Sequence, residues 1–329
     1  MISRRTSLLL VSSAFAQTSK KKIVIAGLDE NSVAELKKSA ASNVHIVAPP
    51  PDQYLAEIAN ADALITPQFT RDQLRVAKQL QWLQILNSGA EDVMSLVKDR
   101  KITLTNLKIV LGPEVADHAF ALLLALTRGL NQTIPARKWE PPENVAQLTE
   151  LHGRTAVIVG VGGVGTQIAT RAAAFGMTVI GIDLKDSPAV KQTFRPDHID
   201  DALKLADVVF VTVPDTPATR GMLGAQQFQA MKRGAYFIAV SRGTVYSMDA
   251  LVKALGDHRL AGAGLDVTDP EPPAPKHPLW KFKNVVITPH IAGASDRSLP
   301  RVIELVRENI NRFAAGQPLL NVVDKTQGY

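Results

Sequence analysis

Short runs of apolar, often β-branched residues alternate with stretches of helical periodicity along most of the chain. The first series of runs covers residues 23–25, 44–47, 63–65, 83–86 and 102–104. The second series covers residues 155–159, 178–182, 208–213, 236–240, 262–266 and 285–288. Strands that alternate with helices assemble into parallel sheets. The pattern therefore predicts two α/β units, with six strands in the second.

Two longer helical stretches and one irregular segment complete the pattern. Residues 113–128 are largely apolar and begin with Pro113, a residue favoured in the first turn of a helix. Residues 131–150 are polar, contain proline and lack periodicity, which indicates a crossing between domains. In the tail, apolar residues recur at helical spacing and predict a packed helix over residues 299–313. These residues are Leu299, Val302, Ile303, Val306, Ile310 and Phe313.

Length and composition narrow the classes of protein. The chain has 329 residues, enough for two domains at roughly 100–200 residues per domain. Hydrophobic residues make up 46% and charged residues 21%, which is the balance of a globular protein. With no cysteine, disulfides, thiol nucleophiles and thiolate-bound metals are excluded, and no metal site is predicted. The net charge of +6 is not concentrated in runs of like charge, so no nucleic-acid partner is expected.

The first 16 residues have the order of an export signal. Arg4 and Arg5 precede an apolar run at residues 8–11 and small residues near position 16, and the arginine pair resembles a twin-arginine signal. We predict that residues 1–16 are a removable signal peptide, giving an exported or periplasmic protein if cleaved and a cytoplasmic one otherwise. A helical or frayed extension is the alternative. No other apolar run approaches the roughly 18–20 residues of a membrane span, so no membrane contact is expected.

A glycine-rich turn follows the first strand of the second series and opens a helical pattern that ends near Gly176. Its residues are Gly160, Val161, Gly162, Gly163, Val164 and Gly165. Asp183 stands 18 residues after Gly165, at the end of the next strand. This spacing is that of the dinucleotide fingerprint, in which the glycines admit a pyrophosphate and the acid binds the ribose diol. A carboxylate there would repel a 2′-phosphate, which predicts NAD rather than NADP unless Lys185 or Arg195 captures the phosphate.

Polar residues follow the other strands of the second series. Arg242, Asp266 and His290 each come directly after a predicted strand. Ligands of open α/β sheets bind outside the carboxyl ends of the strands, so these side chains are expected to converge beside the cofactor. A single Arg or His at a strand end is more often structural, but several around one cofactor favour a functional site.

Seven segments together resemble the family of NAD-dependent D-2-hydroxyacid dehydrogenases, and the similarity covers nearly the whole chain after the leader. The segments are residues 113–118, 153–165, 213–220, 240–243, 264–267, 271–272 and 288–294. The resemblance implies catalytic Arg242, Glu271 and His290, and substrate contacts at Ser88, Gly89, Arg242 and His290. It also implies cofactor contacts at Val213, Pro214, Thr219 and Asp266, beside Gly160, Gly162, Gly163, Val164, Gly165 and Asp183.

The chemistry of these residue types agrees with that activity. The planar guanidinium of Arg242 is suited to a carboxylate, and the imidazole of His290 is suited to giving or taking a proton near neutral pH. Glu271 would orient the ring and favour its charged form. One departure from the family stands near the carboxylate site, where Glu91 and Asp92 follow Ala90 and add an acid. Substrate preference is therefore expected to be shifted.

We thus expect two doubly wound parallel-sheet domains, a Rossmann NAD-binding domain (116–294) inserted in a flavodoxin-like substrate domain (22–115 plus 295–329). The predicted function is hydride transfer between NAD(H) and a small 2-hydroxy or 2-oxo acid. A cofactor-binding regulator with little turnover, similar to the corepressors that share the Arg, Glu and His, is the alternative, and so is a phosphite oxidiser. Family resemblance also implies a homodimer, with the helix from Pro113 at the contact.

Overall fold

A computed structural model describes residues 20–142 and 145–329. The first sheet is wholly parallel and contains β1 (Lys21–Ile25), β2 (Val44–Val47), β3 (Ala63–Thr66), β4 (Trp82–Ile85) and β5 (Thr103–Thr105). Its order is β2-β1-β3-β4-β5, the flavodoxin-like order. The helices between these strands are α1 (Glu30–Ser39), α2 (Tyr54–Ile58), α3 (Arg71–Val76) and α4 (Glu91–Val97).

The second sheet follows two helices, α5 (Gly112–Thr127) and α6 (Leu130–Ala136). Its strands are β6 (Thr155–Val159), β7 (Thr178–Ile182), β8 (Gln192–Phe194), β9 (Val208–Val211), β10 (Ala235–Ala239), β11 (Leu260–Leu265) and β12 (Val285–Ile287). The intervening helices are α7 (Gly163–Ala174), α8 (Ile199–Leu203), α9 (Ala225–Ala230) and α10 (Met248–Gly256), and α11 (Ser298–Ala315) follows β12. Short 3₁₀ turns cover Val145–Gln147, Pro196–His198, Gly243–Val245 and Pro278–Lys281.

The strands of the second sheet are also all parallel, in the order β12-β11-β10-β9-β6-β7-β8. The chain starts in the middle at β6, runs outward to β8 and then returns to the other side through β9. This reversal creates a crevice at the carboxyl ends of β6 and β9, where α/β sheets bind ligands. The two parallel sheets confirm the predicted fold class.

The prediction of six strands in the second sheet is wrong, because β8 is a seventh. It pairs with β7 through Gln192, Thr193 and Phe194. Three residues at a sheet edge, none of them fully buried, lack the apolar run that identifies the other strands.

The prediction that residues 131–150 cross between domains is also wrong, because the chain has reached the second sheet before residue 131. α5 lies on that sheet, and its Leu122 and Leu126 belong to the same core as Ala156 and Ile158 of β6. Gly264 makes this close contact possible, since a Cβ there would lie 2.8 Å from the Cβ of Leu122. Part of the segment is helical, in α6 and in the turn Val145–Gln147.

The helix predicted near the end of the chain is confirmed as α11, and it packs on the first sheet. Val306 and Ile310 share a core with Ile23 and Trp82. The assignment of Leu299 to the packed face is wrong, because this side chain is 46% exposed in the first turn of α11. The chain after α11 continues onto the first sheet, where the amide of Val323 donates to the carbonyl of Leu104 at 2.8 Å.

Among the described residues, no helix is long and apolar enough to cross a membrane. The predicted leader, residues 1–16, lies outside the described residues.

Candidate active site

The glycine turn after β6 has the geometry of a nucleotide-binding loop. Gly160 has a φ of +94°, and a Cβ at this position would lie 2.7 Å from Cγ1 of Val213. A Cβ at Gly165 would overlap the carbonyl oxygen of Gly160, so only glycine lets α7 begin this close to β6. Beside Gly162, no described atom outside the residue and its two chain neighbours lies within 4 Å of an added Cβ. The turn is tightly packed on one side and open on the other, as a pyrophosphate site requires.

α7 begins at Gly163, directly after the open position at Gly162. Amides in the first turn of a helix have no partner within the helix, and the helix dipole favours an anion there. Gly163 and Val164 supply such amides. Gly163 has a second role, because a Cβ there would lie 2.8 Å from the carbonyl oxygen of Lys108, in the segment that joins the two sheets.

Asp183 directly follows β7, beside this turn. Its Oδ2 accepts a hydrogen bond from the amide of Val161 at 2.8 Å, and its Oδ1 accepts one from the amide of Lys185 at 3.0 Å. The carboxylate is only partly buried, so each oxygen keeps a lone pair for a ribose hydroxyl. Arg195 lies beside this acid, where its Nη1 donates to the carbonyl of Asp183 at 3.3 Å and its Nη2 donates to Oδ1 of Asp186 at 2.9 Å. The loop, the amides and this acid together fit a dinucleotide.

The loop after β9 forms the other wall of the crevice. Val213 packs against Gly160, as described, and Thr212 Oγ1 donates to the carbonyl of Gly160 at 2.5 Å. The hydroxyl of Thr219 donates to the carbonyl of Pro214 at 2.6 Å and accepts from the amide of Thr216 at 2.9 Å. Thr219 therefore fixes the shape of this loop, and direct contacts of Val213, Pro214 and Thr219 with the cofactor remain predictions.

Asp266, predicted as a cofactor contact, lies almost fully buried at the end of β11. Its Oδ1 accepts from Thr288 Oγ1 at 2.6 Å and from the amide of Ile291 at 3.0 Å, and its Oδ2 accepts from the amide of Ala292 at 2.9 Å. Burial raises the pKa of Asp266, but the hydrogen bonds from His118, Thr288 and the two amides outweigh burial and hold the pKa below its usual value. Asp266 thus anchors the turn that carries His290, while its cofactor contact remains a prediction.

His290 and Glu271 form a hydrogen-bonded pair. Nδ1 of His290 lies 2.8 Å from Oε2 of Glu271. The backbone of His290 has a φ of +52°, and its amide donates to the carbonyl of Asp266 at 2.9 Å. The structure gives Nε2 no hydrogen bond to another described residue. The pair is open to the crevice, with side chains 45% and 40% exposed. An oriented imidazole with one free nitrogen can transfer a proton to a bound molecule.

Arg242 follows β10 and lies next to the segment that carries Glu271. A Cβ on the adjacent Gly243 would overlap the carbonyl of Thr268, so the two segments are in direct backbone contact. The amide of Thr268 in turn donates to Oε1 of Glu271 at 3.1 Å. The structure therefore places Arg242, Glu271 and His290 at one edge of the second sheet.

The first sheet contributes the turn between β4 and α4. Ser88 is held by Asn106, whose Nδ2 donates to the carbonyl of Ser88 at 2.7 Å. An added Cβ at Gly89 would lie 2.5 Å from Nη2 of Arg242, so this turn reaches Arg242 across the cleft. The amides of Ser88, Gly89 and Ala90 have no hydrogen bond to the backbone of another described residue. They are available to a carboxylate.

Glu91 completes the arrangement around Arg242, and sequence reasoning missed this contact. Its Oε1 accepts from Nε of Arg242 at 2.5 Å, while Nη1 of Arg242 donates to the carbonyl of Ser241 at 2.7 Å. The sequence marks Glu91 only as an additional acid near the turn. His118 was likewise not identified from the sequence, although its Nε2 lies 2.8 Å from Thr288 Oγ1.

Comparison with known proteins gives the family. Residues 120–292 match the family model described as D-isomer specific 2-hydroxyacid dehydrogenase, NAD binding domain. The chain is 34% identical over 291 residues to a glyoxylate reductase of Korarchaeum cryptofilum, covering 84% of this chain and 87% of that one. It is 33% identical over 290 residues to a glyoxylate reductase of Thermofilum pendens, covering 84% and 85%.

A solved structure shows that the similarity includes both sheets. The D-isomer specific 2-hydroxyacid dehydrogenase family protein of Aeromonas salmonicida superposes with a TM-score of 0.80 at 28% identity, covering 93% of this chain and 100% of that one. Fold, nucleotide loop and matched sequence agree, and the chain therefore belongs to the D-isomer specific 2-hydroxyacid dehydrogenase family of NAD-dependent oxidoreductases.

Proposed function

We propose that the protein reduces a small 2-oxo acid to the 2-hydroxy acid, reversibly, with NADH as reductant. The observation that carries this proposal is the His290–Glu271 pair at 2.8 Å, which leaves Nε2 of His290 without a hydrogen bond to another described residue. The relatives named glyoxylate reductase support a substrate of only a few carbons.

Arg242 binds the carboxylate of the substrate. A guanidinium presents donors in one plane and can hold a carboxylate and a neighbouring carbonyl oxygen together. The amides of Gly89 and Ala90 lie across the cleft from Arg242 and complete the anion site. Ser88 and Gly89 thus contribute mainly through the backbone of their turn.

His290 holds the proton that the carbonyl oxygen receives. In reduction the imidazolium donates it from Nε2, and in oxidation the neutral ring accepts it from the hydroxyl. Glu271 keeps the ring oriented through Nδ1 and stabilises the imidazolium. When bound, the nicotinamide supplies or accepts the hydride.

Asp183 selects the cofactor. Its partly exposed carboxylate can accept hydrogen bonds from a ribose diol, but it would repel the 2′-phosphate of NADPH. NADH is therefore expected to have the higher kcat/KM, measured for both cofactors with one substrate. A preference for NADPH would mean that Lys185 or Arg195 captures the phosphate.

Three further proposals concern the whole chain. The first is the division into a substrate domain (22–115 plus 295–329) and a cofactor domain (116–294). The second is the homodimer that family resemblance implies, with the helix from Pro113 at the contact. Large apolar side chains are exposed on and after α6, the helix that directly follows it, at Ile134, Trp139 and Val145. The third is export directed by residues 1–16, which N-terminal sequencing of protein from the native host tests.

A panel of 2-oxo acids tests the proposed activity. Steady oxidation of NADH is expected with at least one small member, and Arg242→Ala should abolish saturation by that substrate. His290→Ala should lower kcat by about 10²- to 10⁴-fold. Neither change should alter NADH binding, followed by fluorescence. Tight NADH binding by the wild-type protein without turnover of any member would instead identify a cofactor-sensing regulator.

A further inference from the structure

Glu91 occupies the place that the proposed function assigns to the substrate. Its Oε1 lies 2.5 Å from Nε of Arg242, and an added Cβ at Gly89 would lie 2.6 Å from the same oxygen. The carboxylate of Glu91 therefore lies between the two components of the anion site, the guanidinium and the turn after β4. A substrate carboxylate needs the same two components.

The contact joins the two halves of the molecule. Glu91 is the first residue of α4, beside the first sheet, whereas Arg242 follows β10 of the second sheet. Their side chains are 21% and 28% exposed, so the pair is partly shielded from solvent. A hydrogen bond between charged groups is stronger under such shielding than at an open surface.

We infer that Glu91 is a specificity-determining residue that competes with the substrate carboxylate for Arg242. This inference rests on the proposed role of Arg242 as the carboxylate-binding residue. When a substrate binds, its carboxylate replaces the carboxylate of Glu91 on the guanidinium of Arg242. Only the difference in free energy between these two ion pairs therefore contributes to substrate affinity. The protein therefore binds simple 2-oxo acids more weakly than the same site would without Glu91, and it discriminates against anions that interact poorly with the rest of the site.

A different role predicts a different result. If Glu91 merely holds Arg242 in position, its removal should loosen the guanidinium and weaken substrate binding. If Glu91 competes, its removal should tighten binding and leave the chemical step unchanged. The sign of the effect on affinity therefore distinguishes competition from positioning.

The test compares Glu91→Gln and Glu91→Ala with Asp92→Asn as matched control. Asp92 is the next residue of α4 and is exposed, so its replacement removes the same charge from the same turn without touching Arg242. Binding of oxamate, a non-reducible isostere of a 2-oxo acid, is measured on the protein–NADH complex by fluorescence and calorimetry. Thermal unfolding verifies that each variant is folded.

Competition predicts that both Glu91 variants bind oxamate about 10-fold tighter or more, since charged hydrogen bonds contribute about this factor. KM for the best 2-oxo acid should fall in parallel with kcat unchanged, and Asp92→Asn should have little effect. If the wild-type protein turns over 2-oxo acids but both Glu91 variants bind oxamate no more tightly than the wild type, the inference about Glu91 is overturned. The proposed function then still stands. Absence of oxamate binding and turnover in every protein, with NADH still bound, overturns the proposed function as well.

Discussion

Glu271 is hydrogen-bonded on both oxygens, to the ring of His290 and to the amide of Thr268. The bond from Thr268 fixes the carboxylate of Glu271, and Thr268 also contacts Gly243, the residue after Arg242. The ring of His290 is therefore held in place relative to the backbone that carries Arg242. A single side chain thereby couples the orientation of the proton-transferring ring to the position of the anion site.

Replacement of Glu271 by Gln should lower kcat for reduction. The amide can still accept a hydrogen bond from Nδ1 of His290, but it no longer carries the negative charge that faces the ring. The measurement is kcat at saturating substrate in both proteins. An unchanged kcat would contradict the pairing, while NADH affinity serves as the control and should not change.

Asp266 is expected to be a major source of stability. Asp266→Asn places an amide group against the amides of Ile291 and Ala292, and it should lower the free energy of unfolding by about 1–3 kcal/mol at neutral pH. Asp296→Asn is the matched control, because the side chain of Asp296 is 90% exposed.

The pH dependence of that loss follows from the lowered pKa of Asp266. A carboxylate whose pKa is lowered in the folded state stabilises the folded protein at pH values above its pKa in the unfolded chain, about 4. This contribution is lost as the pH falls through the lower pKa of the folded state. The difference between wild type and Asp266→Asn in urea unfolding should therefore shrink below about pH 4. A difference that is constant with pH would show that the charge of Asp266 contributes nothing.

Individual site residues were predictable to different degrees. Arg242, Glu271 and His290 each belong to a segment that follows a strand or matches a family pattern, so their positions could be inferred along the chain. The contact of Glu91 with Arg242 joins residues 151 positions apart on different sheets. No local pattern encodes it, because it depends on how the two sheets face each other.

At the level of secondary structure, apolar periodicity identified the buried strands well and the short polar elements poorly. β9, with four buried residues, was apparent from the sequence. β8 and α6 were not, because β8 has three partly exposed residues and α6 contains Pro135 and no buried residue. Helices and strands with few buried apolar side chains have little apolar periodicity, so the sequence does not reveal them.

The loop between β6 and α7 permits two glycine substitutions to be compared. Gly165→Ala should destabilise the protein, because its Cβ would overlap the carbonyl of Gly160. Gly162→Ala should leave stability nearly unchanged, since no described atom beyond its chain neighbours lies within 4 Å of its Cβ and its φ is −80°. The added methyl would instead occupy part of the pyrophosphate space and weaken NADH binding.

Thermal unfolding and NADH titration of both variants decide this prediction. Equal losses of NADH affinity and of melting temperature in the two proteins would mean that the open side of the loop is not the phosphate site.

At the level of the whole molecule, the apolar side chains on and after α6 support self-association. Ile134 is 68% exposed, although α5 immediately before it is largely buried. A contiguous patch of such groups would mark a protein contact, whereas single exposed apolar side chains are common on any protein surface.

If the proposed homodimer uses this surface, Ile134→Glu should shift the protein from dimer to monomer in analytical ultracentrifugation. Leu55→Glu on α2 is the control, because Leu55 is also exposed but lies in one of the helices that connect the strands of the first sheet. A wild-type protein that sediments as a monomer across the micromolar range would exclude this contact.

The contribution of α11 and of Val323 to the first sheet has a consequence for biosynthesis. The core around Ile23 and Trp82 includes Val306 and Phe313, so a ribosome that has synthesised only β1–β5 has produced a half-exposed apolar surface. The second sheet, by contrast, is built from one continuous stretch and can close while translation continues, since domains fold as units during synthesis. The nucleotide crevice can therefore form before the amino-terminal sheet is complete, and that unfinished sheet is where a chaperone would be needed.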